Sequence, residues 1–110
     1  MKYFGFTIDL KDDPQAVEQY KAYHRAVWPE VLEHARSSGV LKTRIFLLGH
    51  RLFLYIETTD EFNLSHTLTP QSSDHPRRQE WDALMRGFME KVPEARAEEW
   101  WARMELVHES

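Results

Sequence analysis

Apolar and polar residues alternate at the start of the chain. Phe4, Phe6, Ile8 and Leu10 fall on one side and Tyr3, Gly5, Thr7 and Asp9 on the other, the period-two pattern of a strand with one buried face over residues 2–10. Lys11-Asp12-Asp13-Pro14 follows and predicts a helix start, with an Asp cap and proline at the first helical position. Val17, Tyr20, His24, Val27 and Val31 recur at spacings of three and four and share one helix face. Pro29 interrupts them. Its missing amide donor and its clash with the preceding turn predict a kink or restart at Trp28-Pro29. Helix resumes through Val31, Leu32 and Ala35 and stops at Ser38-Gly39, where glycine suits a left-handed cap.

Residues 41–48 and 51–57 are β-rich runs separated by Gly49-His50, and glycine first in a two-residue loop predicts a type II′ hairpin. From Thr59 to Leu68 the pattern is weak, at most one short helix, and residues 69–74 form a linker-like stretch too short to divide domains. Pro76 opens a helix with Trp81, Leu84, Met85, Phe88 and Met89 on one stripe, which is expected to end at Pro93. Trp100 to Val107 alternates loosely and reads as a fourth strand. The order β-α-β-β-α-β predicts an α+β, ferredoxin-like fold, an antiparallel sheet with helices on one face. On the hairpin, Leu41, Thr43, Ile45 and Leu47 lie opposite Lys42, Arg44, Phe46 and Leu48. Both faces carry large apolar groups, so a homodimer closing sheet against sheet is expected.

Composition narrows the function. A chain of 110 residues, 42% apolar and 29% charged, has the size and make-up of a single globular domain, 1–110. Cysteine is absent, which removes disulfides, thiolate metal sites and a cysteine nucleophile and fits a reducing compartment. A formal net charge of −4 speaks against a nucleic-acid partner. No stretch approaches the ~20 apolar residues of a membrane span, and the charged opening, Asp9 to Asp13, lacks the features of a signal peptide. The expected location is the cytoplasm.

The six histidines form no H-E-x-x-H, H-x-H or paired Glu-x-x-His pattern, and there is no nucleophile elbow or glycine-rich phosphate loop, so neither a protein-held metal nor an elbow nucleophile or phosphate-loop site is expected. His24 stands apart because it interrupts an apolar helix face one turn after Tyr20, which places imidazole and phenol on the same side. Two readings are open: a buried histidine bonded to a backbone carbonyl, or a proton-exchanging group near neutrality in a pocket between helix and sheet. Trp81 is either core or a platform for the apolar C–H face of a sugar. Asp82 beside it is either solvated or an acceptor for sugar hydroxyls. Trp100 and Trp101 point to opposite faces of the final strand in this reading, so at most one lines a site, and Trp28 anchors the kink. From residues alone, a cofactor-free oxygenase or haem-degrading protein of the same barrel type, a non-catalytic sugar-binding module and a sugar-converting enzyme all remain open.

Larger blocks resemble a known family. Tyr20-Lys21-Ala22-Tyr23-His24, Val27-Trp28-Pro29-Glu30-Val31, Gly39, Ile45-Phe46, Arg51 to Glu57, Trp81-x-x-Leu84-Met85 and Trp100-Trp101-Ala102-Arg103-Met104-Glu105 are similar to the L-rhamnose mutarotase family over nearly the whole chain. The Y-x-x-x-H-x-x-V-W-P-E string is the specific part. The resemblance implies a small cytoplasmic homodimer with a dimeric α+β barrel fold that interconverts the anomers of a 6-deoxy-L-hexose, L-fucose or L-rhamnose, without metal or cofactor. It implies His24 as the proton donor and Tyr20 as a substrate contact; the expected arrangement puts the His24 proton on the ring oxygen, Tyr20 on a sugar hydroxyl and Trp81 against the apolar sugar face. Asp82, a tyrosine or water would serve as the complementary base. Thr43 stands where the rhamnose enzymes have a tyrosine, and Trp81-Asp82 where they have Trp-Trp. With the Asp9-to-Asp13 opening, this looks closer to the branch acting on L-fucose.

Overall fold

A computed structural model of the chain describes residues 1–63 and 75–110. The expectations for residues 64–74, including most of the weak helix and the linker, lie outside them. Strand β1 is Lys2–Leu10. Helix α1, Pro14–His24, starts where Asp13 accepts a 3.0 Å hydrogen bond from the Gln15 amide, which satisfies one of the orphan donors of the first turn. The restart at Pro29 is real: α1 ends at His24 and α2 runs Pro29–Ser37. Gly39 follows with φ of +102°, and β2, Val40–Leu48, turns into β3, Arg51–Thr58, through Gly49 and His50. Gly49 has φ of +63° and no non-glycine residue described has positive φ, as a type II′ turn requires.

The antiparallel sheet runs β2-β3-β1 and continues on the free edge of β1. That edge is shared by two short strands. The first, β4 (Met89–Glu90), pairs with Leu10 and Asp9, and β5 (Ala102–Met104) pairs with Thr7 to Gly5. They are one edge strand in two pieces, interrupted by an excursion over 91–101. The order is therefore ferredoxin-like with a split fourth strand and a first helix broken into two.

Two sequence expectations need correction. Helix α3, Pro76–Arg86, ends before Gly87, not at Pro93. Phe88 and Met89 leave the helical stripe because the unpaired edge of β1 captures the backbone there, with the Lys11 amide donating to the Phe88 carbonyl at 2.9 Å and Met89 pairing with Leu10. A tertiary ladder outweighs a helical periodicity at its last turn. The final strand is also shorter than 100–107. Trp100 and Trp101 precede it on bent backbone, so strand alternation does not separate them.

The core packs the inner face of the sheet (Phe6, Ile8, Leu10, Leu52, Leu54, Ile56) against Tyr20, Val31, Trp81 and Met85 of the helices. On the outer face Phe46 stacks with Phe53 and Tyr3 with Tyr55, at 6.1 and 6.3 Å between centroids. Gly5 permits this layer, because a Cβ there would meet the Phe53 ring at 3.2 Å. Gly39 is under a harder constraint, since its Cβ would come within 2.7 Å of Thr59 Oγ1 in a left-handed backbone. Gly39→Ala is expected to lower stability by more than about 1 kcal/mol, whereas Gly49→Ala, with nothing within 4 Å, loses only the backbone penalty. Urea unfolding of the two variants side by side checks the ranking.

Candidate functional site

Between the helices and the inner sheet face lies a cavity of about 210 Å³, below the roughly 300–1,000 Å³ of pockets for drug-sized ligands. This is monosaccharide scale. Its floor is sheet, with Thr43 and Ile45 of β2 and Leu54 and Ile56 of β3. Its walls come from Tyr20 and His24 of α1, Val31 and Ala35 of α2, one face of α3, and Trp100 and Trp101 of the excursion. All five residues singled out from the sequence, Tyr20, His24, Thr43, Trp81 and Asp82, line it.

His24 is the last residue of α1, and its Nδ1 lies 2.9 Å from the Tyr20 carbonyl oxygen. A carbonyl can only accept, so the proton sits on Nδ1, and in the neutral ring Nε2 carries a lone pair. Nε2 has no hydrogen-bond partner among the described residues. Burial lowers the His24 pKa below 6.5, and the backbone bond offsets this in part. The ring therefore stands neutral at neutral pH. It lies 4.1 Å from the Tyr20 ring, tilted by 30°, and meets Trp81 edge-on at 5.3 Å. Tyr20 is only 3% exposed, and burial pushes its phenol well above the usual range, which keeps the hydroxyl protonated as a donor.

Trp81 is buried, braced edge-on by Tyr23 and by Trp28, whose own outer face is covered by the Arg77 guanidinium at 3.9 Å. Trp28 thus supports the site from behind, as its place beside Pro29 suggests. Asp82 is held by Arg78 one turn earlier, whose Nε lies 3.0 and 3.2 Å from the two carboxylate oxygens. The pair is largely buried, with side-chain exposures of 13% and 24%. Sequence reasoning missed Arg78 and Arg86, which line the cavity beside Asp82. The available signal was spacing, since 78, 82 and 86 succeed each other at i+4 on the face that carries Trp81. It also allowed only one of Trp100 and Trp101, and both line the cavity. Of the other described histidines, the His50 Nδ1 ties the hairpin to the Leu10 carbonyl at 3.1 Å and His75 caps α3. No group of three possible metal ligands occurs among the described residues.

A curled antiparallel sheet closed on one side by helices, with a small pocket on its inner face, places the molecule among the ferredoxin-like α+β barrel proteins. Two solved structures share this fold over the full length of the chain. They are an L-rhamnose mutarotase from Formosa agariphila (TM-score 0.72, 18% identity, 99% of that chain covered) and the tetracenomycin F2 cyclase of Streptomyces glaucescens (0.75, 16%, 97%). At such identities the likeness concerns fold alone, and the two carry unrelated chemistries. Sequence decides the family. The model for L-rhamnose mutarotase matches residues 3–110, and the chain belongs to that family. Relatives include a UPF0734 protein of Dictyostelium discoideum, 40% identical over 98% of this chain and 89% of that protein. An L-fucose mutarotase of Xanthomonas campestris is 31% identical over 92% and 82%.

The His24 environment has a direct consequence. Burial disfavours the charged ring in the folded state, so folding is favoured above pH 6.5, and this contribution is lost as pH falls from 6.5 toward the lowered folded value. Nitrogen-15 NMR of the imidazoles is expected to show His24 neutral, protonated on Nδ1 at pH 7.5, and titrating below 6.5. Urea midpoints between pH 7.5 and 5 should fall less steeply for His24→Gln than for the wild type.

Proposed function

We propose that this protein is a mutarotase (an aldose 1-epimerase) that interconverts the α and β anomers of a 6-deoxy-L-hexose, with L-fucose favoured over L-rhamnose. The observation that carries the reading is the neutral His24 imidazole, lining a sugar-sized cavity with its Nε2 lone pair uncommitted to any described residue. Membership of the mutarotase family and the L-fucose mutarotase relative support it. Asp82 replacing an aromatic beside Trp81 supports the fucose preference.

Anomerisation breaks the bond between C1 and the ring oxygen and re-forms it from the other face of the aldehyde. The anomeric hydroxyl and the ring oxygen sit on the same carbon, so one imidazole can serve both. Nε2 removes the hydroxyl proton; C1=O then forms as the bond from C1 to the ring oxygen breaks, and the same proton passes from Nε2 to the departing ring oxygen. After rotation about C1–C2 the two transfers run in reverse. His24 thus starts as a base and acts on the ring oxygen as the acid, and no separate base is required. Its lowered pKa suits the first role, because the ring is unprotonated at neutral pH. Tyr20 donates to a sugar hydroxyl, Asp82 accepts from one, Trp81 lies against the apolar face, and Thr43 contacts the sugar from the floor. Water performs the same reaction slowly, so positioned proton transfer, about 10²–10⁴-fold, is enough without metal or cofactor.

The assembly that fits is a homodimer closed through the outer sheet face, where Phe46 is 56% exposed, Tyr3 47% and Phe53 38%. The reading places a single domain, 1–110, in the cytoplasm. It rests on the absent cysteine, and no helix among the described residues is long and apolar enough to cross a membrane.

Saturation-transfer NMR of α/β exchange tests the activity. The wild type is expected to accelerate L-fucose more than L-rhamnose, and His24→Ala to lose about 10²–10⁴-fold. An unchanged rate in a folded His24→Ala would remove the assignment. The wild-type rate should fall as pH drops through the lowered His24 pKa. Sedimentation velocity tests the assembly: Phe46→Asp with Phe53→Glu should convert a dimer to a folded monomer.

A further inference from the structure

Three charged residues, Arg78, Asp82 and Arg86, follow one another at i+4 along the cavity face of α3. On an isolated helix the favoured i,i+4 ion pair has the acid N-terminal to the base. Asp82 would then pair with Arg86. The structure does the reverse: Asp82 is taken by Arg78, with both oxygens within 3.2 Å of its Nε. Arg86 makes no hydrogen bond or ion pair among the described residues, and its guanidinium lies 5.8 Å over the Trp100 ring, at the edge of cation–π range. Trp100 is itself held by the excursion. Lys91 lies 5.4 Å over the same ring and donates to the Ala97 carbonyl at 3.0 Å.

The consequence is a division of charge. Asp82 arrives at the cavity already compensated, and the half-buried Arg86 lines the same apolar cavity uncompensated by any described residue. A guanidinium is donor-only, with five N–H groups in a planar fork, and in a low-dielectric pocket it attracts oxygen. We propose that Arg86 is a substrate-binding residue whose guanidinium donates to oxygens of the bound sugar, giving the site a donor to complement the acceptor Asp82. This rests on the mutarotase reading for its substrate. It also makes a separable statement, that the pocket carries a cationic subsite able to hold a sugar carboxylate.

The test compares Arg86→Gln and Arg86→Lys with the wild type, using L-fucose as substrate and D-galacturonate, a hexuronate, as competitor. Arg86→Gln is expected to raise KM for L-fucose about tenfold, the loss of one charged hydrogen bond, with kcat changed less than threefold. D-galacturonate should inhibit the wild type competitively, inhibit Arg86→Lys more weakly, and fail to inhibit Arg86→Gln. A merely structural role would lower the melting temperature and kcat without altering the response to the hexuronate. KM and inhibition both within twofold of wild type in Arg86→Gln overturn the assignment and leave the mutarotase reading standing. If the wild type accelerates no sugar, that reading falls, and calorimetry of D-galacturonate on wild type against Arg86→Gln still decides the subsite: equal or absent binding overturns it. Arg86→Lys keeps a cation over Trp100 and covers the case in which the glutamine variant does not fold.

Discussion

A histidine at the end of a helix can turn either ring nitrogen toward the backbone, and the choice decides what the other nitrogen can do. Here the ring folds back one turn and gives its Nδ1 proton to the Tyr20 carbonyl. That bond selects the tautomer, fixes the ring against the Tyr20 phenol and commits the remaining lone pair to Nε2. Had the ring bonded through Nε2, the same residue in the same cavity would expose a different nitrogen at a different depth. The rest of the site is built around this contact. Trp81 meets the imidazole edge-on, Trp28 braces Trp81, and Arg77 covers Trp28. The result is a chain of ring contacts that runs from Arg77 through Trp28 and Trp81 to His24 at the cavity.

The break between α1 and α2 serves the same end. Pro29 stops the first helix from running on, so His24 falls at a terminus beside the cavity, not in the middle of a longer packed rod. The split edge strand plays the matching role on the other side. Because β4 and β5 occupy one edge of β1, the chain between them must leave the sheet and return. It brings Trp100 and Trp101 over the cavity together. Glu99 secures the return by accepting from the Arg96 and Arg103 amides. A continuous fourth strand would have sent the two indoles to opposite faces.

Relatedness and geometry bear on different questions. The fold is shared with a polyketide cyclase at a TM-score of 0.75, so it says nothing of the substrate. The family match and the cavity's polar groups carry that burden. On the cavity face of α3, an aspartate held by an arginine presents a directed acceptor beside Trp81.

Most of the architecture was legible in the chain itself. Period-two alternation in β1, the Asp13-Pro14 start, the Pro29 restart and the Gly39 and Gly49 turns each follow from local stereochemistry, and each occurs where the pattern puts it. The residues facing the cavity were legible for the same reason. Helical spacing ties Tyr20 to His24, and the stripe of α3 carries Trp81 with Asp82 alongside. Other features answer to contacts far apart in sequence and left no local trace. The edge of β1 ended α3 early and took Met89. The pairing of Asp82 with Arg78, against the preference of an isolated helix, depends on the surroundings of α3. The direction of the His24 ring, which sets its protonation and its chemistry, was decided by burial and by one carbonyl. Local pattern can place a side chain on a face, but only the assembled fold determines what that face meets.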